Sequence, residues 1–355
     1  MQGKKIFKLL LFLLLITPSL TIASEEVAKE ENSVKSEIKQ DIMHHLQDAY
    51  DFHLFTDKTT NTHYGFPLPI ILWDNGLHVF MSSKFHHGEA VAESKGNYYK
   101  IYHNKIYKTD AEGTLSMDEN HHVTNAKPLD FSITKSVFSV MLISLLIFLL
   151  FRGFAKSYKK SHIPNAVGKF MEPLVLFVRD EIAIPNIGEK HYKKYMSYLL
   201  TVFFFIWFIN LTGLTPLGIN VTGNIAVTFC LALITFLITQ FTSKKDYWKH
   251  IFWMPGVPVP MKFVLAPIEL LGVFIKPFAL MIRLYANISA GHIVLMSLVG
   301  LLFVFQNWFA RGAFLGLTLF LSIIELLVAF LQAYIFTMLT ALYFGGAVAE
   351  HDDHH

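Results

Sequence analysis

The sequence predicts an all-α polytopic membrane protein of about five membrane helices, the last two a long tilted hairpin, plus a small exported N-terminal domain of mainly β structure. Three observations carry this. Apolar residues make up 53% of the 355 residues, and they fall in blocks rather than scattered positions. Lysine and arginine sort into particular connections between the blocks, so their placement says more than the net charge of +3. The last two blocks are each far longer than one crossing needs.

Residues 1–24 read as a secretory signal: Lys4, Lys5 and Lys8, the apolar core Leu9 to Ile16, then Ala23 and Ser24 before Glu25 and Glu26. The alternative is an uncleaved anchor, for which the core is short. Residues 25–130 form the exported domain, polar and loop-rich. A charged helix is expected over Glu26 to Ala49. Ile70 to Trp73 and His78 to Met81 alternate on either side of Asp74-Asn75-Gly76, a hairpin signal. The pairs His44/His45, His86/His87 and His121/His122 raise metal binding. Adjacent histidines point to different faces of an element, so solvated surface is the simpler reading and no metal site is expected. Cys230, the single cysteine, excludes an intrachain disulfide and reads as a small buried hydrophobe.

The membrane part covers residues 131–350. Ser132 to Phe151 is long enough to span, with Lys135 within snorkelling reach of the outer interface. Arg152, Lys156, Lys159 and Lys160 follow and mark a cytoplasmic loop. Val167, Phe170, Met171, Leu174, Val178 and Ile182 recur at helical spacing, with Lys169 and Glu172 between them. That predicts an amphipathic helix on the inner surface. Lys190, Lys193 and Lys194 precede a span from Tyr198 to Leu217, and the chain returns through Asn224 to Phe241 to Lys244, Lys245, Lys249 and Lys262. Leu270 to Phe305 and Ala313 to Phe344 remain, parted by Gln306, Asn307 and Arg311. At 1.5 Å per residue each is roughly 50 Å of helix against about 30 Å of hydrocarbon, hence a steep tilt and a break near Lys276-Pro277. Parity returns the C-terminus to the cytoplasm.

The costly residues lie in this hairpin. An arginine at mid-membrane costs about 3 kcal/mol on insertion scales, so Arg283 is expected to face protein or an aqueous path. It stays charged at any physiological pH. Asn287 lies one turn on, on the same face. His292 is on the opposite face, about 13 Å along the axis. Glu325 and Gln332, seven residues apart, share a stripe of the second helix. Imidazole and carboxylate can exchange protons in the working pH range, so His292 and Glu325 suit a proton path. Arg283 suits a fixed charge that favours an ionised carboxylate and blocks leakage. The plainer readings are an Arg283–Glu325 ion pair, a hydrogen-bonding His292, and Asn287 and Gln332 as interhelix glue. Glu269 and Lys276, nearer the end of their stretch, are secondary candidates with an interfacial default.

The runs PIELLGVFIKPFALMIRLYANISAGH (Pro267 to His292) and IIELLVAFLQAYIFTMLTALYF (Ile323 to Phe344) resemble subunit a of F-type ATP synthases. NLTGLTPLG (Asn210 to Gly218) and NIAVTFCLAL (Asn224 to Leu233) support the likeness. It covers about Ile163 to Phe344 and leaves the exported domain outside. The resemblance implies that Arg283 is the essential arginine facing the ring of c subunits, with Asn287 and Gln332 as the polar residues near it. His292 and Glu325 match the two half-channel positions. Many bacterial members carry an acid at the first and a histidine at the second, and this chain has the reverse, as mitochondrial members do. Implied partners are the c-subunit ring, the b subunits of the peripheral stalk and the remainder of the complex, within the bilayer of the cell inner membrane. No nucleic acid is implied. The chain has no Gly-rich phosphate loop, so no cofactor is expected and nucleotide chemistry belongs to other subunits. A single-chain secondary transporter is the rival class, but such folds show repeated halves and none is visible. A membrane scaffold subunit is the third.

Overall fold

The structure, a computed structural model, describes residues 48–57, 62–88, 90–119, 122–160, 166–215, 219–254, 256–305 and 307–349. The expected signal segment, nearly all of the expected helix from Glu26 and the tail from Glu350 lie outside these. Asp48 and Ala49, the end of that expected helix, have no regular structure. The chain divides into two units, Met1–Leu46 with His292–Ser322, and Gln47–Gly291 with Ile323–His355.

The N-terminal part of the second unit is built from short antiparallel strands: β1 (Asp51–Asp57), β2 (Thr62–Pro67), β3 (Pro69–Trp73), β4 (Leu77–Met81), β5 (Ala92–Ser94), β6 (Asn97–Tyr102), β7 (Lys105–Thr109) and β8 (Leu129–Asp130). β1 pairs with β2, β3 lies between β4 and β8, and β6 lies between β5 and β7. The expected hairpin forms in register, Trp73 opposite Leu77, with Asn75 at φ 53° and Gly76 at φ 148°. Two further turns, Lys95-Gly96 and His103-Asn104, hold positive φ at both residues, the geometry that matches strand twist in two-residue hairpins. Ile70, Leu72, Phe80, Phe85, Tyr99 and Ile106 form one core. At its edge Asp74 accepts from Lys108 Nζ at 2.7 Å and from Tyr99 Oη at 3.1 Å. The Lys108 hydrogen bond holds the Asp74 carboxyl below its usual range, while burial and the Asp74 charge push Tyr99 up to about 12.

Asp48 fastens this domain to the helices. Its carboxylate accepts from Thr134 Oγ1 at 2.8 Å, Ser136 N–H at 2.9 Å and Asn224 Nδ2 at 3.4 Å. Phe52 and Phe66 stack on each other at 4.9 Å, and both meet Phe138 edge-on.

The helices are α1 (Lys135–Lys160), α2 (Ala166–Phe177), α3 (Ile184–Ile187), α4 (Tyr192–Gly213), α5 (Ile225–Thr242), α6 (Lys245–Phe252), α7 (Val259–Val304) and α8 (Trp308–Val348). Among the described residues, α1, α4, α5, α7 and α8 are long and apolar enough to cross a membrane. Several boundaries differ from expectation. α4 begins six residues before Tyr198 because Tyr195 and Leu199 already sit in the core. Lys135 does not reach outward: it is buried, with Nζ over the Phe52 ring at 5.7 Å. The amphipathic run is not one helix, since a π-helical turn, Val178–Ala183, links α2 to α3. Met171, Val178 and Ile182 are buried and Phe170 is exposed.

α5 is packed inside out. Its buried stripe is Thr228, Ala232, Thr235 and Thr239, while Ile225, Phe229, Leu233, Leu237 and Phe241 are exposed. Helices in lipid associate through small and hydroxyl-bearing residues, because hydrocarbon is as apolar as leucine. The hydroxyls stay satisfied: Thr239 Oγ1 donates to Thr235 O at 2.7 Å, and Tyr198 Oη pairs with Thr235 Oγ1 at 2.8 Å. Cys230 falls off this stripe and is exposed, which corrects the buried expectation.

α7 runs through Pro267 and Pro277 without the expected break. Pro277 borders a cavity of about 20 Å³, also lined by Thr239, Gln240, Tyr247, Lys276 and Tyr343. Polar neighbours of this kind let a membrane helix keep a proline. The 46 residues of α7 and 41 of α8 make roughly 69 and 62 Å of helix, more than twice the hydrocarbon thickness. In the unit His292–Ser322, Phe305 stacks on Phe314 at 5.2 Å and Arg311 Nε donates to Phe305 O at 2.9 Å, closing the connection between α7 and α8.

The far ends gather. Lys244 N–H bonds Ala347 O at 3.0 Å, Lys244 Nζ meets His191 Nε2 at 3.3 Å, and the Gly345 backbone lies flush against Asn186 O. The C-terminal end of α8 thus lies with the basic connections, opposite the end held by Asp48.

Candidate functional site

α7 buries Val273, Leu280, Met281, Leu284 and Ile288 against its unit. Arg283 and Asn287 flank this stripe along one edge, one turn apart, and both are exposed. The guanidinium is therefore on an outer surface of the unit, flanked by the exposed Ile282. Asn287 is held in place: its Nδ2 donates to Gln332 Oε1 at 2.7 Å.

Gln332 is only 1% exposed. Among the described residues its Nε2 has no hydrogen-bond partner. An unpaired buried donor costs about 1–3 kcal/mol, which marks the position as one that stability alone would not select. Glu325, two turns earlier on the α8 stripe, is also buried. Its carboxylate comes so close to Gly291 that a Cβ there would sit 2.9 Å from Oε1. Gly291 thus joins the candidate site, and composition did not reveal it. The signal available was a glycine inside an otherwise strong helical pattern.

Of the secondary candidates, Lys276 is exposed with Nζ 5.6 Å from the Tyr343 ring centroid, and Glu269 is half-buried. His292 belongs to the other unit and is itself buried. Of the seven expected residues, the structure joins Asn287 to Gln332 by a direct bond and sets Arg283 on the face of Asn287. It leaves Glu269 apart from this group. The described residues contain no group of three or more His, Cys, Asp or Glu suited to a metal. His122, the described half of its pair, receives its contact from Asp118, at 3.7 Å. His44, His45 and His121 lie outside the described residues.

Five apolar helices among the described residues, one of them inside out, mark a multi-pass membrane protein, and one long helix presents a cation on an outer face. Comparison with known families makes this specific. The ATP synthase A chain family matches residues 137–345. The chain belongs to that family, the subunit a family of ATP synthases. The match begins in α1, further toward the N-terminus than the resemblance over Ile163 to Phe344 reached. Residues 41–131 match a second family, described as Domain of unknown function (DUF8433).

Among curated relatives, the ATP synthase subunit a of Anaeromyxobacter sp. (strain Fw109-5) is 43% identical over 237 residues, 64% of this chain and 57% of that protein. The chain thus spans little more than half of that relative's length. The ATP synthase subunit a 2 of Prosthecochloris aestuarii (strain DSM 271 / SK 413) is 38% identical over 304 residues, 81% of this chain and 92% of that protein. The ATP synthase subunit a of Chloroherpeton thalassium (strain ATCC 35110 / GB-78) is 42% identical over 233 residues, 63% of this chain and 69% of that protein.

Proposed function

We propose that this chain is the proton-translocating stator subunit of an F-type ATP synthase membrane sector. Two aqueous half-channels load and unload a carboxylate on the c-subunit ring, so that the proton gradient drives rotation and ATP synthesis elsewhere in the complex. The chain itself is not an enzyme. Protons enter past His292 and Glu325, pass to the rotor carboxylate, and leave on the far side of Arg283 after nearly a full turn. The observation that carries the reading is Arg283 on an outer face of α7, with Asn287 beside it fixed by Gln332.

The physical logic is that of a barrier. A guanidinium cannot give up its proton, so it cannot relay one. It can hold a passing carboxylate ionised and keep cations from leaking between the two routes. Each elementary charge crossing 100 mV releases about 2.3 kcal/mol, so a leak past Arg283 would waste the gradient. Gln332 Nε2, buried without a partner among the described residues, offers a donor to a group brought by another subunit.

In this reading the chain enters the cell inner membrane behind a signal segment, residues 1–24. Residues 25–130 face the periplasm and the end of α8 faces the cytoplasm with the basic connections. The hairpin of α7 and α8 tilts steeply around the c-ring, and the b subunits of the peripheral stalk pack against the remaining helices. Reconstituted complexes carrying Arg283→Ala test it. ATP synthesis driven by an imposed proton gradient is expected to vanish while the complex stays assembled. Unchanged synthesis overturns the proposal, and loss of the assembled complex supports a scaffold role instead.

A further inference from the structure

The outer face of the sheet formed by β4, β3 and β8 is as apolar as its inner one. Strand register sets Trp73 beside both Leu77 and Leu129, Ile71 beside Val79, and Pro69 beside Met81. Phe131 continues β8, its N–H bonded to Ile71 O at 2.9 Å. On this face Trp73 is 54% exposed, Val79 57%, Leu129 63% and Phe131 66%, while Ile70, Leu72 and Phe80 fill the core on the other. An antiparallel sheet with one wet face alternates apolar and polar residues, and this one does not. The strands PIILW, LHVFM and LD carry one charged residue, Asp130. Its carboxylate is engaged by the Tyr50 hydroxyl and the Ser132 N–H. A contiguous bare apolar face of this kind calls for a nonaqueous neighbour.

The chain's course says which neighbour. β8 leads through Phe131 to Lys135, the first residue of α1, and Ile133 N–H still bonds Pro69 O at 3.1 Å. Four residues reach at most about 14 Å. The face is therefore tethered beside a membrane-crossing helix whose own residues Val137, Met141, Leu145 and Phe148 are exposed and apolar. Its tryptophan suits the level where headgroups meet acyl chains, since an indole has an apolar body and one polar N–H. Lys95, whose Nζ donates to Leu77 O at 2.6 Å, sets a cation at the rim, where anionic headgroups lie. We propose that this face of the N-terminal domain rests on the bilayer surface, inserting Trp73, Val79, Leu129 and Phe131 at the headgroup boundary. The proposal stands apart from the proton-translocation reading.

Spin labels on the assembled complex in phosphatidylethanolamine/phosphatidylglycerol vesicles test it. Cys230→Ser removes the native thiol, and Val79→Cys or Leu129→Cys then places a label on the face, with Lys105→Cys as a control on β7. Relaxation by oxygen is expected to exceed that by a water-soluble nickel chelate several-fold at 79 and 129, with the order reversed at 105. Both labelled sites are exposed, so the substitutions should leave the fold intact, and a photoactivatable phospholipid in the same vesicles is expected to crosslink at both. Nickel access at 79 and 129 matching that at 105, without crosslinks, overturns the proposal in favour of a bare face. Shielding from both reagents overturns it in favour of a protein partner, and dipolar broadening in favour of a second copy.

Discussion

Gly291 lies close against the Glu325 carboxylate, a contact that sequence reading passed over. Glu325 stood out as a carboxylate at apolar depth, but the glycine that makes room for it could be identified only once the two helices were placed together. Gly291→Ala sets a methyl 2.9 Å from the position of Oε1, and the flexible end of the carboxylate gives way before any backbone does. Proton flux through reconstituted complexes is expected to fall with assembly unchanged, and Glu325→Asp, one methylene shorter, is expected to restore part of it. Asp74 was legible as a turn residue, not as an ion-pair partner, because Lys108 lies 34 positions away. Its folded pKa is depressed, so the stability it contributes is present above the unfolded carboxyl range and is lost as pH falls through the folded value. The pair is partly exposed, 33% at Lys108 and 17% at Asp74, which limits the effect to about 1 kcal/mol or less. Amide exchange in β6 and β7 is expected to quicken below about pH 4, and Asp74→Asn to remove that dependence.

Elements whose signals are local were well legible. Asp74-Asn75-Gly76 marked the hairpin, and Asn224, placed at the start of a span, proves to be the N-cap of α5, its Oδ1 accepting from Ala226 N–H at 3.0 Å. What was hidden depends on neighbours. Pro277 signals a break in an isolated helix, yet α7 continues past it beside Thr239, Gln240 and Tyr247. The π turn at Val178 has no composition of its own, since Met171, Val178 and Ile182 would share one face of an unbroken α-helix as well. The close seat of α8 on α3 is equally silent in the sequence. A Cβ at Gly345 would overlap the Asn186 carbonyl, a backbone group that cannot swing aside, whereas one at Gly346 would meet nothing within 4 Å. Gly345→Ala is expected to destabilise by about 1–3 kcal/mol and Gly346→Ala to have little effect, measured as thermal aggregation midpoints of the two variants in mild detergent.

At the scale of the whole molecule, the N-terminal domain is fixed to the helices rather than hung from them, and Asp48 holds the fastening. Hydrogen bonds to a charged group contribute about 1.5–3 kcal/mol, and Asp48 makes three, to Thr134, Ser136 and Asn224. Asp48→Ala is expected to broaden the distance distribution between spin labels on β7 and on α5. A distribution as narrow as in the parent protein would show that the aromatic stack of Phe52, Phe66 and Phe138 suffices. The charge sorting that suggested two sides was legible in the basic connections, but the hydrogen bond from Lys244 to Ala347 that brings the C-terminal end to them was not.

Arg283 on an outer face has a consequence for the life of the chain before assembly. A newly inserted copy without a companion surface exposes a permanent cation to acyl chains, a burden of about 3 kcal/mol or more. The energy of an unaccompanied copy therefore depends on whatever comes to lie over that guanidinium.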